Sequence, residues 1–298
     1  MATLYTQAES NTRKTFFLIT IFVVVLIALG WLFSYLLNDS IFLVIAVILA
    51  VGQSFASYWY SDKIVLGISH AQPIKKEDDP ELYRIVENLC ITAGLPAPKI
   101  YITNETQPNA FATGRDKNHA VIVVTKGLLE KLDKTETEGV IAHELSHIGN
   151  RDILLSTAVV VLAGIIAIFS NLFLRISFWG GGRRRDSKDS GYLGLILLVL
   201  GIVAAILAPV IATLIRLAIS RKREFLADVD GALLTRYPEG LASALEKIAA
   251  DESPLKTAST TTAHLYISNP FKEKKFSNLF MTHPPIEERI KALREMEI

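Results

Sequence analysis

The chain has 298 residues, of which 50% are hydrophobic and only 20% are charged. This apolar share is high for a soluble protein and indicates segments that lie in a bilayer. The formal net charge is +1 and the basic residues stand in small groups beside apolar runs, so we expect no binding of nucleic acid.

The first two apolar runs follow a short polar tail that ends at Arg13 and Lys14. Thr15–Leu37 and Ile41–Tyr60 carry no charged residue, and each is long enough to cross about 30 Å of hydrocarbon as a helix. The first run is too long for an ordinary signal peptide, and no small-residue cleavage site follows it. We therefore predict that residues 1–62 form a tail and a transmembrane hairpin. Two buried helices of a soluble protein are the alternative.

Residues 63–152 have the mixed composition of a folded, water-exposed segment. Apolar residues recur at helical spacing in Pro80–Ala93, before a glycine and a proline that stop a helix. Lys99–Thr103 and Ala120–Thr125 are typical of strands, and Pro108–Gly114 between them suits an edge strand or a loop. The segment is predicted to be the first part of a small α+β unit.

This segment ends in a motif, His143, Glu144 and His147, with the spacing H-E-x-x-H. Residues four apart lie on the same face of a helix, so the two imidazoles can bind one metal ion while the glutamate projects beside them. This arrangement is found in zinc peptidases and makes the chain a candidate hydrolase. Thr135 or Thr137 is the expected N-cap of the helix that carries it.

Two further apolar runs follow, Ile153–Leu174 and Tyr192–Ile215, and both are long enough to span. If the helix of the motif continues into the first of them, the motif lies close to the membrane surface. We predict a second transmembrane hairpin over residues 153–218. It returns the chain to the same membrane face, where residues 219–298 form the second part of the catalytic unit.

A third metal ligand is expected in this second part. Glu224 is the favoured candidate by position, although a solvated partner of the neighbouring basic residues is an equally good interpretation of its place in the sequence. Asp228 lies one helical turn further on the same face and could accept a hydrogen bond from a ligand imidazole. An ordinary exposed helix charge is the alternative for Asp228.

Four motifs together resemble the HtpX-like membrane metalloproteases of the gluzincin type, which are relatives of the CAAX prenyl proteases. They are His143–His147, Glu224–Asp228, Asn109–Ala112 and Thr282–Pro285, in the family's order and with the family's apolar runs. The resemblance covers essentially the whole chain. It implies a mainly α-helical membrane protein with four hydrophobic helices and a zincin-like α+β catalytic domain with a small sheet.

The resemblance also implies an activity, that of a zinc endopeptidase holding one Zn²⁺ per chain on His143, His147 and Glu224. Glu144 would accept the proton of the attacking water and deliver it to the leaving amine. An extended substrate would pair with an edge strand formed by Asn109, Ala110, Phe111 and Ala112. A plain structural strand is the alternative. His283 and Arg289 are candidates for stabilising the oxyanion, or for supporting the group that does so.

The family further implies a bacterial cytoplasmic membrane enzyme that faces the cytosol and cleaves misfolded or damaged membrane proteins. The single cysteine, Cys90, requires no oxidising compartment and fits this location weakly. The basic loop 175–191 opposes the topology, because it is periplasmic if both runs of the second hairpin span. A transporter is disfavoured because the apolar runs lack charges, and a non-catalytic zinc-binding scaffold is disfavoured by Glu144. The oligomeric state stays open.

Overall fold

The computed structural model describes residues 4–161, 221–251, 253, 265–267 and 284–297. Most of the predicted second hairpin lies outside the described residues, as does His283. The described part is mainly helical, with a small mixed sheet and two candidate membrane helices. It includes the first two apolar runs, residues 63–152 and portions of residues 219–298.

The first two helices are α1 (Leu4–Leu37) and α2 (Ile41–Trp59), which pack against each other. Two stretches in them, Glu9–Leu32 and Ile41–Trp59, are long and apolar enough to cross a membrane. Helix α1 begins well before the apolar run, so the polar tail is part of the helix. The tail is helical because it is packed: Asn11 in its third turn is only 2% exposed.

A four-stranded sheet forms the middle of the catalytic unit. Its strands are β1 (Gln72–Pro73), β2 (Lys99–Thr103), β3 (Ala110–Gly114) and β4 (Ala120–Thr125), in the spatial order β1-β2-β4-β3. Strands β2 and β4 are parallel, and the two outer pairs are antiparallel. Strand β3 therefore lies at an edge of the sheet, and β2 and β4 have the bounds that the sequence predicts.

The remaining helices surround this sheet. They are α3 (Ser61–Ile68), α4 (Pro80–Ala93), α5 (Lys126–Lys131), α6 (Lys134–Gly149), α7 (Asp152–Val161), α8 (Arg221–Thr235), α9 (Pro238–Ala250) and α10 (Ile286–Arg294), with a short 3₁₀ turn at Lys117–His119. Helix α6, which carries the metal motif, packs against both α8 and α9.

Alternation along the strands divides the apolar side chains between two cores. Ala112 and Ile122 face the larger core, which is filled from α4, α6 and α9. Phe111 and Val123 face the smaller core, together with Val65 of α3. The sheet is thus covered on both faces, and β3 is fixed next to α6.

Asp133 caps helix α6, so the prediction of Thr135 or Thr137 is wrong. The Asp133 carboxylate accepts a hydrogen bond from the backbone N–H of Glu136 at 2.9 Å, and the Glu136 carboxylate accepts one from the N–H of Asp133 at 2.8 Å. This reciprocal pair satisfies two backbone donors, which a lone threonine cannot do. The helix therefore starts at Lys134.

Helix α6 does not continue into the next apolar run, as the sequence suggested it could. It ends at Gly149, and Arg151 then adopts a left-handed conformation with φ of 56°. Helix α7 starts at the next residue, Asp152. Because of this break, the side chain of Asp152 can return to the face of α6 that carries His147.

Candidate active site

The metal motif is brought to its candidate third ligand by a close contact between α6 and α8. A Cβ atom added to Gly231 of α8 would lie 3.0 Å from the backbone nitrogen of His143 and 3.2 Å from its Cα. A residue without a side chain is needed here because the backbones nearly touch. As a result, the first turn of α8 faces the imidazoles of α6.

His143, His147 and Glu224 converge on one point, with candidate ligand atoms within 4.8 Å of one another. The two Nε2 atoms are 3.2 Å apart, and each lies 3.8 Å from an oxygen of Glu224. Two nitrogens bound tetrahedrally to zinc at 2.0–2.1 Å are separated by about 3.3 Å. The measured separation therefore fits a tetrahedral metal ion, and these three residues could hold one.

Asp228 lies directly behind His143, with 2.9 Å between its Oδ1 and the imidazole Nδ1. Arg289, which is fully buried, donates to both oxygens of Asp228 at 2.8 and 2.7 Å. Burial alone would raise the pKa of Asp228, but the Arg289 charge and these hydrogen bonds lower it to about 2. Asp228 is thus an ionised carboxylate that can accept a hydrogen bond from the Nδ1–H of His143.

Asp152 lies behind His147 in the same way, with 3.0 Å between its Oδ2 and the imidazole Nδ1. Burial opposes a charged imidazole, but the contact with Asp152 and the nearby carboxylates raise the pKa of His147 to about 9. Asp152 was not among the residues predicted from the sequence. On an unbroken helix a residue five positions on faces away from His147, so only the break at Arg151 reveals the pair.

Glu144 is 3% exposed and lies beside the three candidate ligands without being one of them. Burial raises the pKa of the Glu144 carboxyl, and the nearby charge of Glu224 raises it further. His143 and His147 lower this pKa but do not cancel the effect of burial. The backbone N–H of Ala112 faces this carboxylate and slightly lowers its pKa, and β3 packs beside the helix that carries the motif. A carboxyl with a raised pKa beside a metal site is suited to accept and return a proton.

The candidate substrate stretch lies on the edge strand, where all four of its residues are buried. The backbone N–H of Ile267 donates to the side chain of Asn109 at 3.0 Å and to the carbonyl of Ala110 at 3.3 Å. Arg289 in turn donates to the carbonyl of Ile267 at 3.2 Å. One end of the edge is therefore covered by the chain itself, and Phe111 packs its ring against Tyr266 in the smaller core.

The structure thus brings the predicted ligands, Glu144, Asp228, Arg289 and the β3 stretch into one site. Arg289 directs its donors to Asp228 and Ile267 and so contacts the carboxylate that lies behind His143. Besides Asp152, the site includes two residues that were not predicted from the sequence, Asn11 and Arg223, which contact Asp152 from α1 and α8. Both contacts join parts of the chain that are far apart in sequence, and no local pattern indicates them.

The chain is similar in sequence to known proteins. Residues 76–297 match peptidase family M48. The chain is 49% identical over 302 residues to a "Protease HtpX homolog" of Caldanaerobacter subterraneus subsp. tengcongensis, covering 99% of both chains. It is 50% identical over 258 residues to one of Syntrophobacter fumaroxidans, covering 85% of this chain and 89% of the relative. The crystal structure of S. mikatae Ste24p aligns with a TM-score of 0.49 and 20% identity, over 93% of this chain and 62% of that chain.

Proposed function

The chain belongs to peptidase family M48 and is a metallopeptidase, and we propose that it is a zinc-dependent endopeptidase of the bacterial cytoplasmic membrane that faces the cytosol. The observation that carries the proposal is the convergence of His143, His147 and Glu224 beside a buried Glu144. One zinc ion per chain, held by those three residues, would polarise the scissile carbonyl and lower the pKa of a water molecule.

The chain's own groups supply the proton transfers. Glu144 accepts the proton of the attacking water and passes it to the departing amine, so acid and base are the same carboxyl. Its burial favours the protonated form that this second step requires. Asp228 and Asp152 hold the two imidazoles through their Nδ1 atoms, which leaves both Nε2 atoms directed at the metal position.

Strand β3 is proposed to bind the substrate backbone. It is an edge strand, and the N–H of Ala112 already points out of the sheet towards Glu144. A peptide that adds to this edge next to Ala112 therefore runs past the proton-transferring carboxyl. Recognition through backbone hydrogen bonds tolerates many side chains, which suits an enzyme that cleaves varied sequences.

Misfolded or damaged membrane proteins are the proposed substrates. The two candidate membrane helices contact the catalytic unit through Asn11 and Trp59. Arg115 directly follows β3, and its guanidinium lies 4.5 Å from the ring centre of Trp59 at the end of α2. Tryptophan at a helix end is typical of the membrane surface. The substrate edge therefore ends beside the bilayer, where unfolded segments of membrane proteins emerge.

The test is Glu144→Gln in purified full-length protein, with bound zinc and cleavage of an unfolded polypeptide both measured. The substitution keeps the shape of the side chain and removes its ability to take a proton, so zinc should be retained while cleavage falls by about 100-fold or more. Cleavage at the wild-type rate would remove Glu144 from the mechanism. Retained zinc with no cleavage in the wild-type protein would favour a non-catalytic scaffold.

A second test removes the metal from the wild-type enzyme. A strong zinc chelator should abolish cleavage, and stoichiometric Zn²⁺ should restore it, because the three-ligand site is proposed to hold one ion. A protein with His147→Ala should bind less zinc and should not regain activity under the same conditions. Full cleavage in the chelated protein would contradict zinc dependence.

A further inference from the structure

Asn11, on the first candidate membrane helix, makes three hydrogen bonds to the catalytic unit. Its side-chain nitrogen donates to Oδ1 of Asp152 at 2.6 Å and to the backbone carbonyl of Asn150 at 3.1 Å. Its side-chain oxygen accepts from Nη1 of Arg223 at 3.2 Å. Asn11 is 2% exposed, so these bonds form out of contact with water.

All three partners of Asn11 are next to the metal site. Asn150 is the C-cap of the helix that carries the motif, and Arg223 immediately precedes Glu224. Asp152 uses its other oxygen, Oδ2, to face Nδ1 of His147 at 3.0 Å. The carboxylate therefore connects Asn11 on one side with a candidate zinc ligand on the other.

Something outside α6 is needed to fix this carboxylate. Asp152 starts a new helix after the left-handed residue Arg151, so the geometry of α6 alone does not determine where its side chain lies. Arg223 approaches Oδ1 only at 3.5 Å through Nε, whereas Asn11 donates to that oxygen at 2.6 Å. A residue of similar size without an amide, such as leucine, could neither donate to Asp152 nor accept from Arg223.

We propose that Asn11 is a positioning residue of the metal site, which holds Asp152 against His147 and Arg223 beside Glu224. The first membrane helix then completes the zinc site as well as anchoring the enzyme. This inference rests on the proposed zinc function. Groups that orient a ligand imidazole commonly change metal affinity by 10- to 100-fold when they are removed.

The experiment measures zinc affinity by competition with a chelator in full-length protein held in detergent micelles. Asn11→Leu should weaken zinc binding by about tenfold and should change the visible absorption spectrum of the Co²⁺-loaded protein, since cobalt reports the arrangement of its ligands. Thr20→Val is the matched control: Thr20 is on the same helix, and its hydroxyl donates to the carbonyl of Phe16 one turn earlier in that helix. Its zinc affinity and cobalt spectrum should match the wild type.

A double-mutant cycle separates positioning from general damage. If Asn11 acts through Asp152, adding Asn11→Leu to Asp152→Asn should weaken zinc binding much less than it does in the wild type. If the leucine variant does not fold, Asn11→Ser takes its place. The serine hydroxyl is too short to bridge Asp152 and Arg223, so this variant should show the same loss of zinc affinity.

Unchanged zinc affinity and an unchanged cobalt spectrum in a folded Asn11 variant would overturn the positioning role, even if its thermal midpoint fell. The positioning role would also be overturned if the losses of zinc affinity in Asn11→Leu and Asp152→Asn were additive in the double variant. A wild-type protein that binds no zinc would instead contradict the proposed function, so the two failures can be told apart.

Discussion

At the scale of single residues, Arg289 explains how several carboxylates can be buried together in the site. It is fully buried and is 4.0 Å from Glu224 while it forms two hydrogen bonds with Asp228. The planar guanidinium matches both oxygens of Asp228 at once, which a lysine ammonium cannot do. The cation therefore keeps Asp228 ionised, and the ionised Asp228 orients His143.

The Asp228 pair predicts how the metal-free protein responds to acid. The pKa of Asp228 is lowered to about 2 from an ordinary value of 3.8, so its stabilising effect is complete above about pH 4 and is lost as the pH falls towards 2. This contribution is on the order of 2 kcal/mol in the free energy of unfolding. In Asp228→Asn the thermal midpoint should be lower at neutral pH and should fall less steeply between pH 4 and pH 2. Parallel acid profiles for the two proteins would contradict the lowered pKa.

At the scale of whole elements, the sequence predicted α4, β2 and β4 with their observed bounds because local signals determine them. Asp79 caps α4 and Gly94 ends it in a left-handed conformation with φ of 64°. The strands follow from alternation and β-branched residues. The sequence also indicated that α6 reaches Asn150, which is its observed C-cap. The left-handed conformation of Arg151 after it could not be predicted, because an arginine carries no local signal for a positive φ.

A substitution at Gly231 tests whether the position of the third ligand depends on the close contact between α8 and α6. In Gly231→Ala the new methyl group would meet the backbone of His143 at 3.0 to 3.2 Å and move α8, with Glu224 and Asp228, outward by a few tenths of an ångström. We expect weaker zinc binding and a lower thermal midpoint, although alanine favours a helix by about 1 kcal/mol. Both quantities can be measured on the same protein.

Gly67→Ala is the matched control for Gly231, since it adds the same methyl group to helix α3 with no neighbouring atom within 4 Å. It should leave zinc affinity unchanged and raise the stability by up to about 1 kcal/mol. If Gly231→Ala behaves like this control, the close contact of the helices does not determine the position of the third ligand.

At the scale of the molecule, the candidate site is assembled from parts of the chain that are far apart in sequence. Residues near positions 11, 144, 224 and 289 meet within it. The motifs in the sequence identified the ligands because their chemistry is local. The sequence could not reveal that the first membrane helix contacts the site, since a single buried asparagine in a polar tail has no distinguishing pattern.

The orientation of the second hairpin is the remaining prediction, and Lys188 lies in the basic loop that decides it. If both apolar runs of residues 153–218 span, Lys188→Cys should react with a membrane-impermeant maleimide in intact cells. This variant and its control are made in a Cys90→Ser protein, so that the native thiol cannot react with the maleimide. This thiol is already a poor nucleophile, because it is 2% exposed and burial raises its pKa to about 11. Glu77→Cys, exposed on the catalytic unit, is the control that should react only after permeabilisation. If Lys188→Cys also requires permeabilisation, the hairpin enters the membrane without crossing it, and the first hairpin alone fixes the catalytic unit on the cytosolic face.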